Sequence, residues 1–351
     1  MSTSVHFSEH PDAARLLDAA VREGPAHAYL FHGPPGVGKR EVARRFAQSL
    51  LETTREFHPD LYELDPLGEM IRIDAIRELR RDLHMRPFEA NRRVYLIHRA
   101  HLLNEDAADA LLKDLEEPPE YAVIVLIAED LGPLPETILS RCQLVPFRRL
   151  TERSIRALVD ARVPELTEEE RASLARVAAG RIDRLERLLD PAASTRRDEV
   201  IEQARAVYRD PSFDPSDAAA ALIENAQARA AEARALEEAR IAGLDLTARE
   251  AEQQVKRAAR GAEREELLAQ LEELEAWYRD LVAVAVGAEA AAIHLDKLPA
   301  LREDATRERL AGAERAAEEV REAWRRLEEL NLSPQLALEA LFVAVARELA
   351  V

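Results

Sequence analysis

Cysteine is nearly missing from this chain: its 351 residues include one, Cys142. An internal disulfide and a multi-cysteine zinc module are therefore excluded. Aromatic residues are scarce at 5%, against an apolar fraction of 47%. That balance describes a mostly helical, Ala/Leu-rich protein. No apolar run approaches the ~20 residues of a membrane span, and no signal-peptide core opens the sequence. The longest greasy stretch, Leu281 to Ile293, is broken by Gly287 and Glu289. A reduced, cytoplasmic protein without a membrane partner is expected. Positive charge is also short, with a net charge of −18. Residues 1–150 carry 19 Lys and Arg against 25 Asp and Glu; residues 151–351 carry 30 against 42. Such a field does not draw the whole molecule onto nucleic acid, so DNA contact would be local to the first half and shared with partners.

What is present is Gly33-Pro34-Pro35-Gly36-Val37-Gly38-Lys39-Arg40. It follows the apolar run Ala28 to Phe31 and opens an amphipathic segment, Glu41 to Leu51. Strand, glycine-rich turn and helix is the context of a phosphate-binding loop. Glycines let backbone N–H groups converge on an anion, and the helix N-terminus adds a favourable dipole. Lys39 would supply the charge for the outer phosphates. The last position calls for a Ser or Thr hydroxyl to hold magnesium, and Arg40 cannot coordinate a metal. A second metal-handling position is expected after the strand Val94–Ile97, where an acidic pair would hold Mg²⁺ and orient water. His98 and Arg99 stand there. Two losses in separate segments predict a degenerate loop without ATP hydrolysis. Nucleotide binding by Gly33, Gly36, Gly38, Lys39 and Arg40 stays open.

Strands alternate with helices over residues 25–150, which predicts a doubly wound α/β domain. Asp74 is the expected N-cap of one helix, and Leu144–Phe147 reads as an edge strand because of Pro146. From Thr151 the strand signals stop. Residues 151–190 read as two or three short helices, and Asp210 to Pro215 as a turn-rich break. Residues 216–275 are dense in Ala, Glu and Arg and predict long helices paired across Gly243. Beyond them Trp277, Tyr278, Trp324, Leu341 and Phe342 are expected packing anchors. Arg72, Arg77, Arg80 and Arg81 form the most basic helical face of the first half: either a row of DNA-phosphate contacts or a solvated face balanced by Glu78 and Asp82. His84, His98 and His101 are read as scattered histidines rather than metal ligands.

Several stretches carry a resemblance. His27 to Phe31 ahead of the glycine loop, Asn104 to Pro119 (NEDAADALLKDLEEPP) and Leu134 to Gln143 (LPETILSRCQ) resemble the AAA+ domains of bacterial clamp loaders. His58-Pro59-Asp60-Leu61, Arg86-Pro87-Phe88-Glu89 and Asn331 to Glu339 extend the likeness. It covers residues 10–190 and 265–350, is weak between them, and is strongest toward the delta-prime type of subunit. It implies an AAA+ P-loop NTPase-like domain over 1–150, a small helical lid over 151–210, and an all-helical C-terminal collar over 211–351. Arg141, flanked by Ser140 and Cys142, matches the family's Ser-Arg-Cys motif, whose arginine reaches ATP held by the adjacent subunit. Arg184, or else Arg181, falls at the second-sensor position. Ala128, Glu129 and Asp130 depart from the first sensor, and the family's cysteine zinc module is absent.

The implied partners are ATPase subunits of gamma/tau type, a delta-type subunit, the sliding clamp and primed DNA through the assembled complex. No cofactor is required. The alternatives are an active gamma/tau-type ATPase, a small-molecule kinase, and an AAA+ scaffold outside replication.

Overall fold

The computed structural model describes residues 10–55, 57–66, 70–242, 248–329 and 333–349. They form two compact units, residues 1–185 and 186–351.

The first unit opens with helix α1 (Pro11–Glu23), strand β1 (Ala28–His32) and helix α2 (Lys39–Leu50). Then follow β2 (Leu61–Leu64), α3 (Ile73–Leu83), β3 (Arg93–Ile97), α4 (Glu105–Glu116), β4 (Ala122–Ala128), α5 (Glu136–Leu139) and β5 (Gln143–Pro146). The strands make one parallel sheet in the order β2-β3-β4-β1-β5. Every residue of β4 is buried, as its unbroken AVIVLIA run requires of a strand covered on both faces. β5 lies at the sheet edge, where Pro146 is tolerated. On one face, α2 inserts Phe46 edge-on against Tyr29, with ring centroids 5.1 Å apart.

Two of the stretches quoted above meet in space. The buried Asp60 carboxylate accepts the backbone N–H groups of Phe88 (2.6 Å), Glu89 (2.8 Å) and Ala90 (2.8 Å). Burial alone would raise the Asp60 pKa, but these three donors hold it below the usual carboxylate range. α3 departs from the sequence expectation: Arg72, not Asp74, occupies the N-cap, and Asp74 lies in the first turn. The start of this helix is set by the neighbouring chain. Ile71 N donates to Leu102 O at 2.7 Å, and Asn104 N to Ile71 O at 3.2 Å, so Ile71 is pinned in a bridge just ahead of it.

Three short helices follow, α6 (Glu152–Arg162), α7 (Glu168–Ala178) and α8 (Ile182–Leu189). Thr167 and Glu170 close a capping box at the start of α7.

The second unit holds α9 (Pro191–Arg209), α10 (Pro215–Ile241), α11 (Ala248–Ala285), α12 (Leu298–Asp304), α13 (Leu310–Glu329) and α14 (Pro334–Leu349). It thus takes in α9, which falls inside the segment 151–210 read from sequence as the lid. Trp277, Tyr278, Leu341 and Phe342 are buried at its centre, with Trp324 partly buried against them. α10 and α11 run antiparallel: Gln270 Nε2 donates to Leu222 O at 3.1 Å, and farther out Ile241 lies opposite Ala251 and Val255. Gly243, the expected turn, and Asn331 and Leu332 of the C-terminal stretch lie outside the described residues. Among the described residues no helix is long and apolar enough to cross a membrane.

Candidate functional site

The phosphate loop leaves the C-terminal end of β1, whose chain crosses β4 and β3 before returning as β2. Open parallel sheets bind ligands at such a crevice. Gly38 caps α2 in the left-handed conformation (φ 89°), and Gly36 is also left-handed (φ 73°). A Cβ at Gly36 would lie 2.0 Å from Asp183 Oδ1, so a side chain there would displace the Asp183 carboxylate as well as strain the left-handed backbone. The loop is held from above by the start of α8: Ile182 N donates to Gly36 O at 2.7 Å. From the other side, buried His10 donates through Nε2 to Val37 O at 2.7 Å, its ring against Phe147. Sequence reading missed His10, which precedes the first helix and shows its role only through a contact 27 residues away.

Lys39 is buried, and its Nζ donates to Gly33 O (2.5 Å) and Pro34 O (2.6 Å) of its own loop. Burial pushes its ammonium down to about 8, opposed by the charges of Glu129 and Asp183. These carboxylates face the lysine where a polyphosphate would need it free. Asp183 is itself gripped by Arg181 Nε and Nη2, at 3.1 and 2.7 Å. Arg184, the second-sensor candidate, is buried, and its backbone N–H donates to Asp183 Oδ1 at 2.8 Å.

Arg40 points away from the loop toward β2. Its guanidinium forks onto Asp65 (2.7 and 3.2 Å) and lies 3.8 Å from Glu63. Arg44, one turn on, forks onto both oxygens of Glu63 (3.0 and 3.1 Å). His98 Nε2 donates to Glu63 Oε2 at 2.9 Å. Burial alone would raise the Glu63 pKa; the His98 hydrogen bond and the arginine charges hold it down to about 2. Glu63, Asp65 and His98 bring three possible metal-ligand atoms within 4.8 Å of one another. Two guanidinium groups already neutralise those carboxylates, so the cations of this cluster are built into α2. Glu63 and Asp65 were not singled out from sequence, since nothing local marks a residue whose partner lies 25 positions earlier. His84 and His101 take other partners: His84 lies 3.4 Å from Asp114, and His101 Nδ1 accepts from Glu129 N at 3.2 Å.

Arg141 lies apart from this loop. In the parallel pairing of β1 with β5, Tyr29 faces Gln143 and His32 faces Pro146. Gly33 thus follows one end of the paired strands, and Arg141 precedes the other. The paired stretch alone separates them by about 10 Å at the usual rise per residue. The Arg141 side chain is 33% exposed. It donates through Nη1 to Thr137 O (2.9 Å) and Ser140 Oγ (3.2 Å), and through Nη2 to Glu116 Oε1 (2.5 Å). Cys142 packs partly buried against the sheet core, and burial pushes its thiol up to about 12. A thiol so rarely ionised is a packing residue, not a nucleophile.

A five-stranded parallel sheet in this order, with a glycine loop after the inner strand β1 and short helices closing over that loop, is the arrangement of an AAA+ P-loop NTPase-like domain; the unit after it is helical. Residues 9–151 match the family described as DNA polymerase III, delta subunit. Among curated proteins, the chain is similar to DNA polymerase III subunit tau of Bacillus subtilis (32% identity, 51% of this chain, 35% of the relative). It is also similar to subunit delta' of the same organism (33% identity, 40% and 47%) and to subunit tau of Escherichia coli (34%, 51% and 31%). The chain spans less than half the length of each of these relatives. Among solved structures, a DNA polymerase III gamma subunit-related protein of Thermotoga maritima aligns over 96% of this chain and 99% of its own, with a TM-score of 0.47 and 19% identity. The N-terminal segment is thus similar to subunits of DNA polymerase III, and the relatives it resembles include both tau and delta' subunits.

Proposed function

We propose that this chain is a delta-prime-like subunit of a DNA polymerase III clamp loader, a stator that activates a neighbour's ATPase without completing its own. The observation that carries the reading is the position of Arg141. A permanently charged, partly exposed guanidinium on the sheet edge away from the phosphate loop cannot serve that loop, but it can reach a nucleotide held by an adjoining subunit. Arginine fingers of this kind raise hydrolysis by roughly 10³–10⁵ in other systems. The phosphate loop supports the same division of labour. Arg40 sits on Asp65 in place of a magnesium ligand, His98 stands on Glu63 where an acid would hold the metal, and Asp183 faces Lys39.

The partners of such a subunit are ATPase subunits of gamma/tau type, a delta-type subunit, the sliding clamp and primed DNA. Two surfaces fit this assembly. On α14, Leu336, Ala340 and Val343 form an exposed apolar stripe suited to a helical collar. At the end of α3, Arg77, Arg80, Arg81 and the C-cap His84 line a shallow basic hollow of about 280 Å³ suited to DNA phosphates. In a loader assembled with its cognate subunits, Arg141→Ala should lower ATPase stimulated by clamp and DNA; an undiminished rate would show the finger assignment to be wrong.

The tau-type relatives favour a second reading, an active motor subunit. It requires magnesium-dependent ATP binding by the lone chain. Calorimetric titration with and without Mg²⁺ separates the two, since binding strengthened by Mg²⁺ supports the motor.

A further inference from the structure

We propose that Glu116 is the positioning residue for Arg141, an inference that rests on the trans-acting role just given. Glu116 ends α4, and its carboxylate accepts from Arg141 Nη2 at 2.5 Å. On the other side, Nη1 is shared between Thr137 O and Ser140 Oγ, and the Ser140 hydroxyl donates to the same Thr137 carbonyl at 3.2 Å. Both terminal nitrogens are thus tied, one to α4 and the other to α5 and the residue that follows it. A guanidinium has five N–H groups. These contacts engage three of them, so two remain for an incoming phosphate oxygen.

The frame that holds the finger is firm. α4 is anchored in the sheet core by Ala107, Ala108, Leu111 and Leu115, and α5 by Ile138. The pair itself is exposed, with side-chain exposure of 33% for Arg141 and 49% for Glu116. An ion pair so open to water adds little to folding. What it does is restrict a long side chain with many rotamers to one direction before the neighbour's phosphate arrives. Ordering in advance spares the transition state that cost, so it acts on the rate of the chemical step. The 25 residues between the partners keep the contact out of reach of local sequence patterns.

The test uses the assembled clamp loader with full-length chain carrying Glu116→Ala, Glu116→Gln or Arg141→Ala, assayed for ATP hydrolysis with clamp and primed DNA. Glu116→Ala should lower kcat about fivefold and leave KM for ATP unchanged, because the contact is used in the transition state. Glu116→Gln keeps a neutral acceptor and should recover most of that loss. Adding Glu116→Ala to Arg141→Ala should change nothing further. If Arg141→Ala is defective while Glu116→Ala raises kcat, leaves it unchanged or shifts KM in step with it, the positioning role is overturned and the finger stands. If Arg141→Ala keeps the full rate, the finger and the inference fall together.

Discussion

Glu63 accepts from Arg44 and His98 and lies 3.8 Å from Arg40, so one carboxylate gathers α2 and β3 around β2. A carboxyl held below its usual range stabilises the fold above the ordinary carboxylate pKa, and that contribution fades as pH falls toward about 2. The shift corresponds to about 3 kcal/mol. Glu63→Gln should therefore be about 3 kcal/mol less stable than wild type at pH 7, with the gap narrowing between pH 4.5 and pH 2; chemical denaturation across that range checks it. His294 carries the opposite sign. Its fully buried ring lies between Asp280 Oδ2 and Glu273 Oε2, each 2.8 Å from a ring nitrogen, and a carboxylate at each nitrogen favours the imidazolium. Burial and the positive charge of Arg197 lower its pKa, yet the two carboxylates win and it is raised. Asp296 lies nearby, paired to Arg197, and Trp277 packs edge-on against the ring. This contribution is complete below the unfolded histidine pKa and is lost as pH rises through the folded one. Nitrogen NMR should find the His294 titration midpoint above that of an unperturbed histidine, and His294→Ala should cost about 3 kcal/mol by leaving two buried carboxylates without it.

The long pair α10 and α11 shows which parts of an element carry stability. Near its base Leu222 is buried, and Ala218, Ala219 and Ala226 share its face. Farther out Leu236 is 68% exposed, and Arg234–Glu238 and Lys256–Glu252 pairs cover the surface. Leu222→Ala should lower stability by about 2–5 kcal/mol, while Leu236→Ala should stay within about 0.5 kcal/mol; denaturant melts of the two variants distinguish a packed base from a solvated end. The pairing of these helices was legible in their charge-rich composition, and the parallel sheet in its buried apolar runs. The start of α3 was not. Asp74 is a good cap by type, but the bridge from Ile71 to Leu103 fixes where the helix begins. The site divides the same way. Gly33, Gly36, Gly38 and Lys39 declare themselves by spacing along the chain. Asp65 for Arg40, Asp183 for Lys39 and Glu116 for Arg141 are supplied by folding, across gaps that no period or motif marks.

At the scale of the whole molecule, the proposed reading has the chain keep its phosphate loop as a packing device and carry its reactive cation elsewhere. Lys39 turns onto its own loop carbonyls, α8 closes over Gly36, and Arg40 is paired with β2. Arg141 stays partly exposed beyond the opposite end of the paired β1 and β5. On the proposed reading, the apolar stripe on α14 and the basic hollow at the end of α3 would serve assembly and DNA positioning rather than chemistry. The most direct measurement compares two substitutions in this chain, Lys39→Met and Arg141→Ala, within the assembled clamp loader, reading single-turnover ATP hydrolysis with clamp and primed DNA. The account predicts that Arg141→Ala slows hydrolysis at the adjoining site by at least about tenfold, while Lys39→Met leaves the rate unchanged. Loss of hydrolysis in Lys39→Met with a normal rate in Arg141→Ala would contradict it.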